Sequence, residues 1–267
     1  MLQHDSSVDV GSDSEVITLS PLAKAVANAL SEPFLIEGVT GRPVFVQLNY
    51  LGEATMVVYA NGHPSKTLPA VIRSLHEKAR VSDVNDPITY FDGRSSSTND
   101  LLARPGAWPE TSVHHVAGLG MSASQRHCFV LCDQNVEIGF CTVELRIDQI
   151  FEQGIPAVHV ELGSDFIVPE MRDRGLSRMW AKAIGKVTVA MLMEFRNRCE
   201  RHGITEECTF PIIIKREAIS ESGKRFGRKV LHELEVQLDV AQLLFGSTND
   251  LVSVGELDGS AFYRVEQ

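Results

Sequence analysis

The apolar positions of this chain keep two periods, one near 3.6 and one of two, and the switches between them mark its elements. Ser20 ahead of Pro21 is an N-cap followed by a first-turn proline, which predicts a short helix running to Ser31. β-Branched and aromatic residues fill 44–48 and 55–59 on either side of Gly52, the pattern of two strands joined as a hairpin. Thr67 and Pro69 then open a helix with Val71, Ile72, Leu75 and Ala79 on one side and a basic outer face.

Residues 83–124 are rich in Asp, Gly, Ser and Pro, show little period, and are expected to be mostly loop, with a short helix near Leu101. Order returns at 127–132, breaks at Asp133, Gln134 and Asn135, and resumes at 137–147, an antiparallel pair; a third strand follows at 157–168. From Leu176 the positions Met179, Trp180, Ala183, Ile184, Val187, Ala190, Met191 and Phe195 keep a helical period as far as Gly203. The wholly apolar stretch 210–214 reads as a strand inside a sheet. A second long helix over 221–245 aligns Val230, Leu231, Leu234, Leu238, Ala241 and Phe245 and ends at Gly246; 251–254 and 261–265 supply closing strands.

With 43% apolar and 22% charged residues in 267, the composition is that of a globular protein, and it excludes a wholly disordered, collagenous or coiled-coil chain. Residues 1–19 read as a flexible acidic tail, and 20–267 as a single domain. Thirty-five acidic against 25 basic residues give a net charge of −10, so neither nucleic acid nor an anionic membrane is expected as a partner. Asp5, Asp9, Asp13 and Glu15 stand where an export signal needs basic residues, so a cytoplasmic location is expected. The longest apolar run, about 187–193, is far short of the roughly 20 residues that cross a bilayer. Five cysteines (Cys128, Cys132, Cys141, Cys199 and Cys208) form no CxxC pair, which suits free thiols in a reducing compartment, and no metal site is expected.

The segment from Asp165 to Ser177 carries the chemistry. A strand ends there, a short charged turn containing Arg172, Asp173 and Arg174 follows, and a long helix begins at or just after Gly175. Such a junction aims backbone N–H groups and the positive end of a helix dipole at one spot, which suits a phosphate or pyrophosphate. The same residues also fit a plain strand-to-helix connection with exposed arginines.

The order of strand, Val168-Pro169-Glu170, Arg172, Arg174-Gly175-Leu176-Ser177 and helix resembles the acyl-CoA signature Q/R-x-x-G-x-G/A of the GNAT superfamily of N-acyltransferases. Arg172, Gly175 and Ser177 stand at its defined positions, and Glu137-Ile138-Gly139-Phe140 is similar to a strand that precedes it. The similarity spans about 127–235. It implies an α/β fold with a mixed, mostly antiparallel sheet splayed at its fourth strand, helices on both faces, and here an N-terminal extension. It implies acetyl-CoA or another acyl-CoA as donor. Backbone groups of Phe166 and Val168 would pair with the pantetheine arm, and the amides of Asp173, Arg174, Gly175, Leu176 and Ser177 would hold the pyrophosphate, with Arg172 beside them. Asp173 departs from a frequent glycine, and Ser177 from the final Gly or Ala.

Amine acylation needs a base, because an ammonium group has no lone pair. Glu161 lies eleven residues ahead of Arg172, a spacing that resembles that of the base in the histone-acetylating branch, with Asp165 and His159 as second choices. Val158, Val160 and Leu162 would face the opposite side of the strand from His159 and Glu161. The usual acid, a tyrosine, is missing between Tyr90 and Tyr263, which leaves Ser220, Ser222, water or no acid at all. Cys208 could be acylated or be a buried structural thiol. Lys224, Arg225, Arg228 and Lys229 form either a solvated helix face or a contact for the adenosine 3′-phosphate or an acidic carrier protein. His114, His115 and Gly118-Leu119-Gly120 are read as non-catalytic. The expected activity is acyl transfer from acyl-CoA to a small-molecule or peptide amine in a ternary complex. The rivals are a carrier-protein-dependent synthase of the acyl-homoserine-lactone type and a non-catalytic binding module; a homodimer stays open. Net negative charge favours a cationic acceptor.

Overall fold

The computed structural model describes residues 21–31, 40–82, 109–116, 120–150, 156–203, 212–215, 221–245, 255–257 and 260–262. The expected tail at 1–19 and the helix near Leu101 lie outside them. In chain order the elements are α1 (Pro21–Leu30), β1 (Pro43–Leu48), β2 (Ala54–Ala60), α2 (Leu68–Ser82), β3 (Glu110–Val116), β4 (Gly120–Asp133), β5 (Val136–Ile150), β6 (Pro156–Ile167), α3 (Ser177–Arg201), β7 (Ile212–Lys215), α4 (Glu221–Phe245), β8 (Gly255–Leu257) and β9 (Ser260–Phe262). The fold is mixed α/β, and its nine strands form one sheet in the order β1-β2-β4-β5-β6-β7-β9-β8, with β3 also paired to β4. Among the described strands only β6 and β7 run parallel.

Two long strands organise the sheet. β4 and β5 turn back on each other through Gln134 and Asn135, both at positive φ (46° and 66°), a two-residue hairpin turn that short polar side chains tolerate. The other edge of β4 is shared. Its second half, 129–133, pairs with β2, and its first half, 120–126, pairs with β3. Between them Asn61, at φ 54°, fills the gap: its N–H donates to the Cys128 carbonyl at 2.7 Å, and its Oδ1 accepts the Cys128 N–H at 2.7 Å.

Part of the stretch expected as mostly loop, 110–116 and 120–124, is therefore strand, and most of the rest of it lies outside the described residues. β3 and the first half of β4 carry Ser, Thr, His and Gln where a hydrophobic alternation would have marked them, and cross-strand polar pairs such as Ser112 Oγ with Ser124 Oγ (2.8 Å) take its place. At the other end, the strand expected at 251–254 lies outside the described residues, and β9 overlaps only the start of the one expected at 261–265.

Helices cover both faces. The register places Leu131 opposite Gly139 and Cys132 opposite Glu137, so Ile138 is an extra residue that turns Glu137 and Gly139 to opposite sides. Glu137 meets Ser74 of α2, whereas a Cβ on Gly139 would stand 3.0 Å from the Trp180 ring of α3 and 2.6 Å from the Phe166 carbonyl. On the α3 face Val143, Leu145 and Ile147 of β5 stack beside Leu162, Val160 and Val158 of β6, all buried. α4 packs along α3, with Phe226 edge-on to Trp180 and the Glu233 carbonyl only 3.2 Å from where a Cβ of Gly185 would be. Each large side chain so buried stabilises the fold by roughly 1.5–3 kcal/mol.

Two buried polar clusters lie in this core. His127 stacks on Phe129 and is held between Asn61 Nδ2, which donates to its Nδ1 at 2.9 Å, and Gln125 Oε1, 3.0 Å from Nε2, so the ring is neutral with its proton on Nε2. Burial pushes its pKa down to about 3. Glu137 is 1% exposed and receives Lys66 Nζ on both oxygens (2.6 and 2.7 Å) and Ser74 Oγ at 2.9 Å.

Candidate active site

Alternation along β6 sends Val158, Val160 and Leu162 into the core and turns His159 and Glu161 to the opposite face. That face is polar. Glu161 receives Arg146 Nη2 at 2.9 Å, Arg146 Nε lies 2.9 Å from Asp148 Oδ2, and His159 Nε2 stands 3.2 Å from the same oxygen. On the neighbouring rung Arg126 of β4 bridges Glu144 (2.9 Å) and Glu110 (3.2 Å). The Glu161 side chain is 31% exposed, so one carboxylate is both fixed by a guanidinium and open to solvent.

Just beyond Glu161 the sheet changes character. Among the described residues the parallel pairing of β7 with β6 runs as far as Glu161 opposite Lys215. On its other edge β6 has two residues, Gly163 and Ser164, against the single Thr142 of β5, a bulge that bends the strand. From Leu162 to Ile167, β6 stays paired with β5, and among the described residues no strand covers its second edge.

Which backbone groups face that edge follows from one hydrogen bond. The Val168 N–H donates to the Ile138 carbonyl at 2.9 Å, so Val168 points at β5, and by alternation Phe166 does too. The structure therefore does not offer Phe166 and Val168 to a ligand arm; the residue turned to the open edge is Ile167. The Ile167 carbonyl accepts Arg172 Nε at 3.0 Å, and the Arg172 guanidinium lies 5.7 Å from the centre of the Phe166 ring.

The turn that follows is a single 3₁₀ turn, Pro169–Met171, and then a loop with two residues at positive φ, Asp173 (60°) and Gly175 (73°). The left-handed backbone at 173 explains why glycine suits this position and why Asp, with its short polar side chain, tolerates it. Asp173, Arg174 and Gly175 are exposed, while Leu176 is buried under the first turn of α3. No side chain caps α3. The Arg178 and Met179 amides bond to the Gly175 and Leu176 carbonyls, and the amides before them open the helix. Ser177 Oγ accepts Lys229 Nζ of α4 at 2.8 Å, and Arg178 pairs with buried Glu233 at 3.0 Å.

The structure thus gathers Arg172, Asp173, Arg174, Gly175, Leu176 and Ser177 at one helix start, adds Lys229 from 52 residues away, and keeps Glu161 on the strand that leads there. Arg225 and Arg228 are exposed on the same helix as Lys229. Arg146 and Asp148, the partners of Glu161 and His159, are not marked by any motif; only the strand pairing reveals them. Asp165 pairs in register with Cys141 on the far side of the bulge from Glu161. The side chains of Ser220, Ser222 and Lys224, and residue Cys208, lie outside what is described. The four cysteines that are described are buried; burial pushes the Cys128 thiol up, and Cys132 to about 12 with the Glu137 carboxylate adding to it. Among the described residues no three His, Cys, Asp or Glu side chains group as metal ligands, and no helix is long and apolar enough to cross a membrane. No family model, curated protein or solved structure matches this chain.

Proposed function

We propose that this protein is an N-acyltransferase that moves an acyl group from acyl-CoA to an amine, on a GNAT-like fold. The observation that carries the reading is that, among the described residues, β7 pairs with β6 only as far as Glu161 and no strand lies on that edge of β6 from there to the start of α3. An extended arm fits such an edge as an extra strand would. The pyrophosphate of the same donor fits the amides from Asp173 to Ser177, of which 173–175 are exposed, with Lys229 beside them, because anions gain from both the N–H groups and the dipole. The family resemblance of Arg172, Gly175 and Ser177 supports the same donor.

In this reading the amine attacks the thioester carbonyl, the carbon–sulfur bond breaks, and the thiolate leaves. Glu161 accepts the proton that the amine must lose, directly or through water, and Arg146 holds the carboxylate in place. The polar face around it carries four carboxylates (Glu110, Glu144, Asp148, Glu161) against two guanidiniums, which suits a cationic acceptor. A second reading has an acidic carrier protein as donor, favoured by the exposed Arg174, Arg225 and Arg228 around Lys229.

Thermal shift against acetyl-CoA, longer acyl-CoAs and an acyl carrier protein tests both. CoA should raise the melting temperature by mass action. Gly175→Trp should abolish the rise while the protein stays folded, because Gly175 is exposed at φ 73° and a side chain there strains the turn and covers the amides. An unchanged rise in a folded Gly175→Trp variant removes the site.

A further inference from the structure

β1 forms one edge of the sheet, and among the described residues no strand lies against its outer side. Soluble proteins protect such edges with charges, bulges or covering loops, because a bare row of N–H and C=O groups templates pairing with another chain. β1 has the sequence Pro-Val-Phe-Val-Gln-Leu, without a charge. Val46 is 39% exposed and Leu48 59%, and in the turn that follows Tyr50 is 94% and Leu51 67% exposed. These four are most of the large apolar side chains that the described structure leaves in water.

Hydrogen bonds show which way the strand faces. The Asn49 N–H donates to the Glu53 carbonyl at 2.8 Å, and the Gln47 carbonyl accepts Thr55 Oγ1 at 3.1 Å, so Asn49 and Gln47 point inward to β2. Val46 and Leu48 therefore turn their backbone groups outward. The turn is rigid, because Asn49 Oδ1 also accepts the Leu51 and Glu53 amides.

Charge selects the occupant. Exposed Arg42 stands at the start of β1, and Lys182 and Lys186 of α3 lie 5.1 and 5.8 Å from the centre of the Phe45 ring, with Lys186 Nζ donating to the Val44 carbonyl. Exposed Glu53 stands at the other end. The edge is thus basic at one end, acidic at the other and apolar between, and an antiparallel copy of itself complements it. A two-fold axis at Val46 sets Val46 against Val46 and Leu48 against Val44, and brings the acidic end of each copy alongside the basic end of the other. We propose that the protein self-associates as a two-fold dimer through antiparallel pairing of two β1 strands, with the Tyr50-Leu51 turns closing over its ends.

The test is the oligomeric state of the full chain by light scattering and sedimentation across the micromolar range. The wild type should be a dimer. Val46→Lys with Leu48→Lys should be monomeric with unchanged circular dichroism and melting of the monomer, since both side chains are already exposed. Val46→Cys should cross-link under mild oxidation, because Cα atoms of a hydrogen-bonded antiparallel pair lie about 5.5 Å apart, within disulfide range. Val136→Cys, more exposed and on a different hairpin, should not. A wild type that stays monomeric overturns the proposal. So does a dimer that survives the double lysine substitution, or a Val136→Cys protein that cross-links as readily as Val46→Cys.

Discussion

Removing either partner of the Lys66–Glu137 pair should cost stability, and the two removals should cost different amounts. Glu137 is 1% exposed, with Lys66 on both oxygens and Ser74 on one. Burial alone would raise its pKa; the bonds from Lys66, from its own backbone N–H and from Ser74, with the Lys66 charge, outweigh that and hold it at about 2 instead of 4.5. The difference is worth roughly 3 kcal/mol at neutral pH. Because the folded-state value is depressed, this stability is complete above pH 4.5 and is lost as the pH falls towards 2. Lys66 is 44% exposed at its side chain, so in Glu137→Gln its ammonium can swing to water, and the loss should be near 3 kcal/mol. In Lys66→Met the carboxylate has no such escape, and the loss should reach about 4–5 kcal/mol. Urea unfolding at pH 7 followed by two probes, and repeated down to pH 3, measures both. For a chain of this length each kcal/mol lowers the melting temperature by roughly 2–4 °C, so calorimetry should show drops of roughly 6–20 °C. Losses under 1 kcal/mol, a Lys66→Met variant more stable than Glu137→Gln, or an acid limb unchanged in Glu137→Gln would refute this reasoning.

Three further outcomes are expected. His127, whose pKa burial lowers to about 3 from 6.5, stays neutral in the fold while the unfolded chain takes up a proton, so stability should be full above pH 6.5 and fall by about 1.4 kcal/mol per pH unit below it; His127→Asn should flatten that slope between pH 6.5 and 4.5 in urea titrations. Gly139→Ala should destabilise by roughly 2 kcal/mol or more in denaturant midpoints, because the added methyl meets the Phe166 carbonyl at 2.6 Å, and Ala at Gly227, where a Cβ would meet nothing within 4 Å, should not. Glu161→Gln should lower acyl transfer by ~10²-fold or more while CoA still raises the melting temperature, and wild-type turnover in that variant would move the base to His159 or Asp165.

The long helices were legible because α3 and α4 keep an apolar face for seven turns, a signal that one misplaced residue cannot erase. The turn at 134–135 was legible because its chemistry is local. β3 was not, since its partners Ser124 and Arg126 make it a strand through cross-strand bonds that periodicity does not encode. The direction of Phe166 and Val168 was hidden for a different reason. Strand parity flips at every bulge, and the bulge at Gly163-Ser164 exists only relative to β5. Lys229 at Ser177 and Arg146 at Glu161 are meetings of distant segments, visible only once the strands and helices are placed.

Asn61 gives the sheet a seam. On one edge of β4, the backbone ladder with β2 stops at Phe129 and the ladder with β3 starts at Arg126, and among the described residues Asn61 bridges the gap, through its bonds with Cys128 and its Nδ2 on His127. Cooperative opening spreads along continuous ladders, so on this edge it has no rail to follow across Cys128. The β3 half can therefore detach, and its amides exchange with solvent, while β1 and β2 remain zipped to the other half. A single carboxamide side chain thus sets where one unfolding unit ends and the next begins.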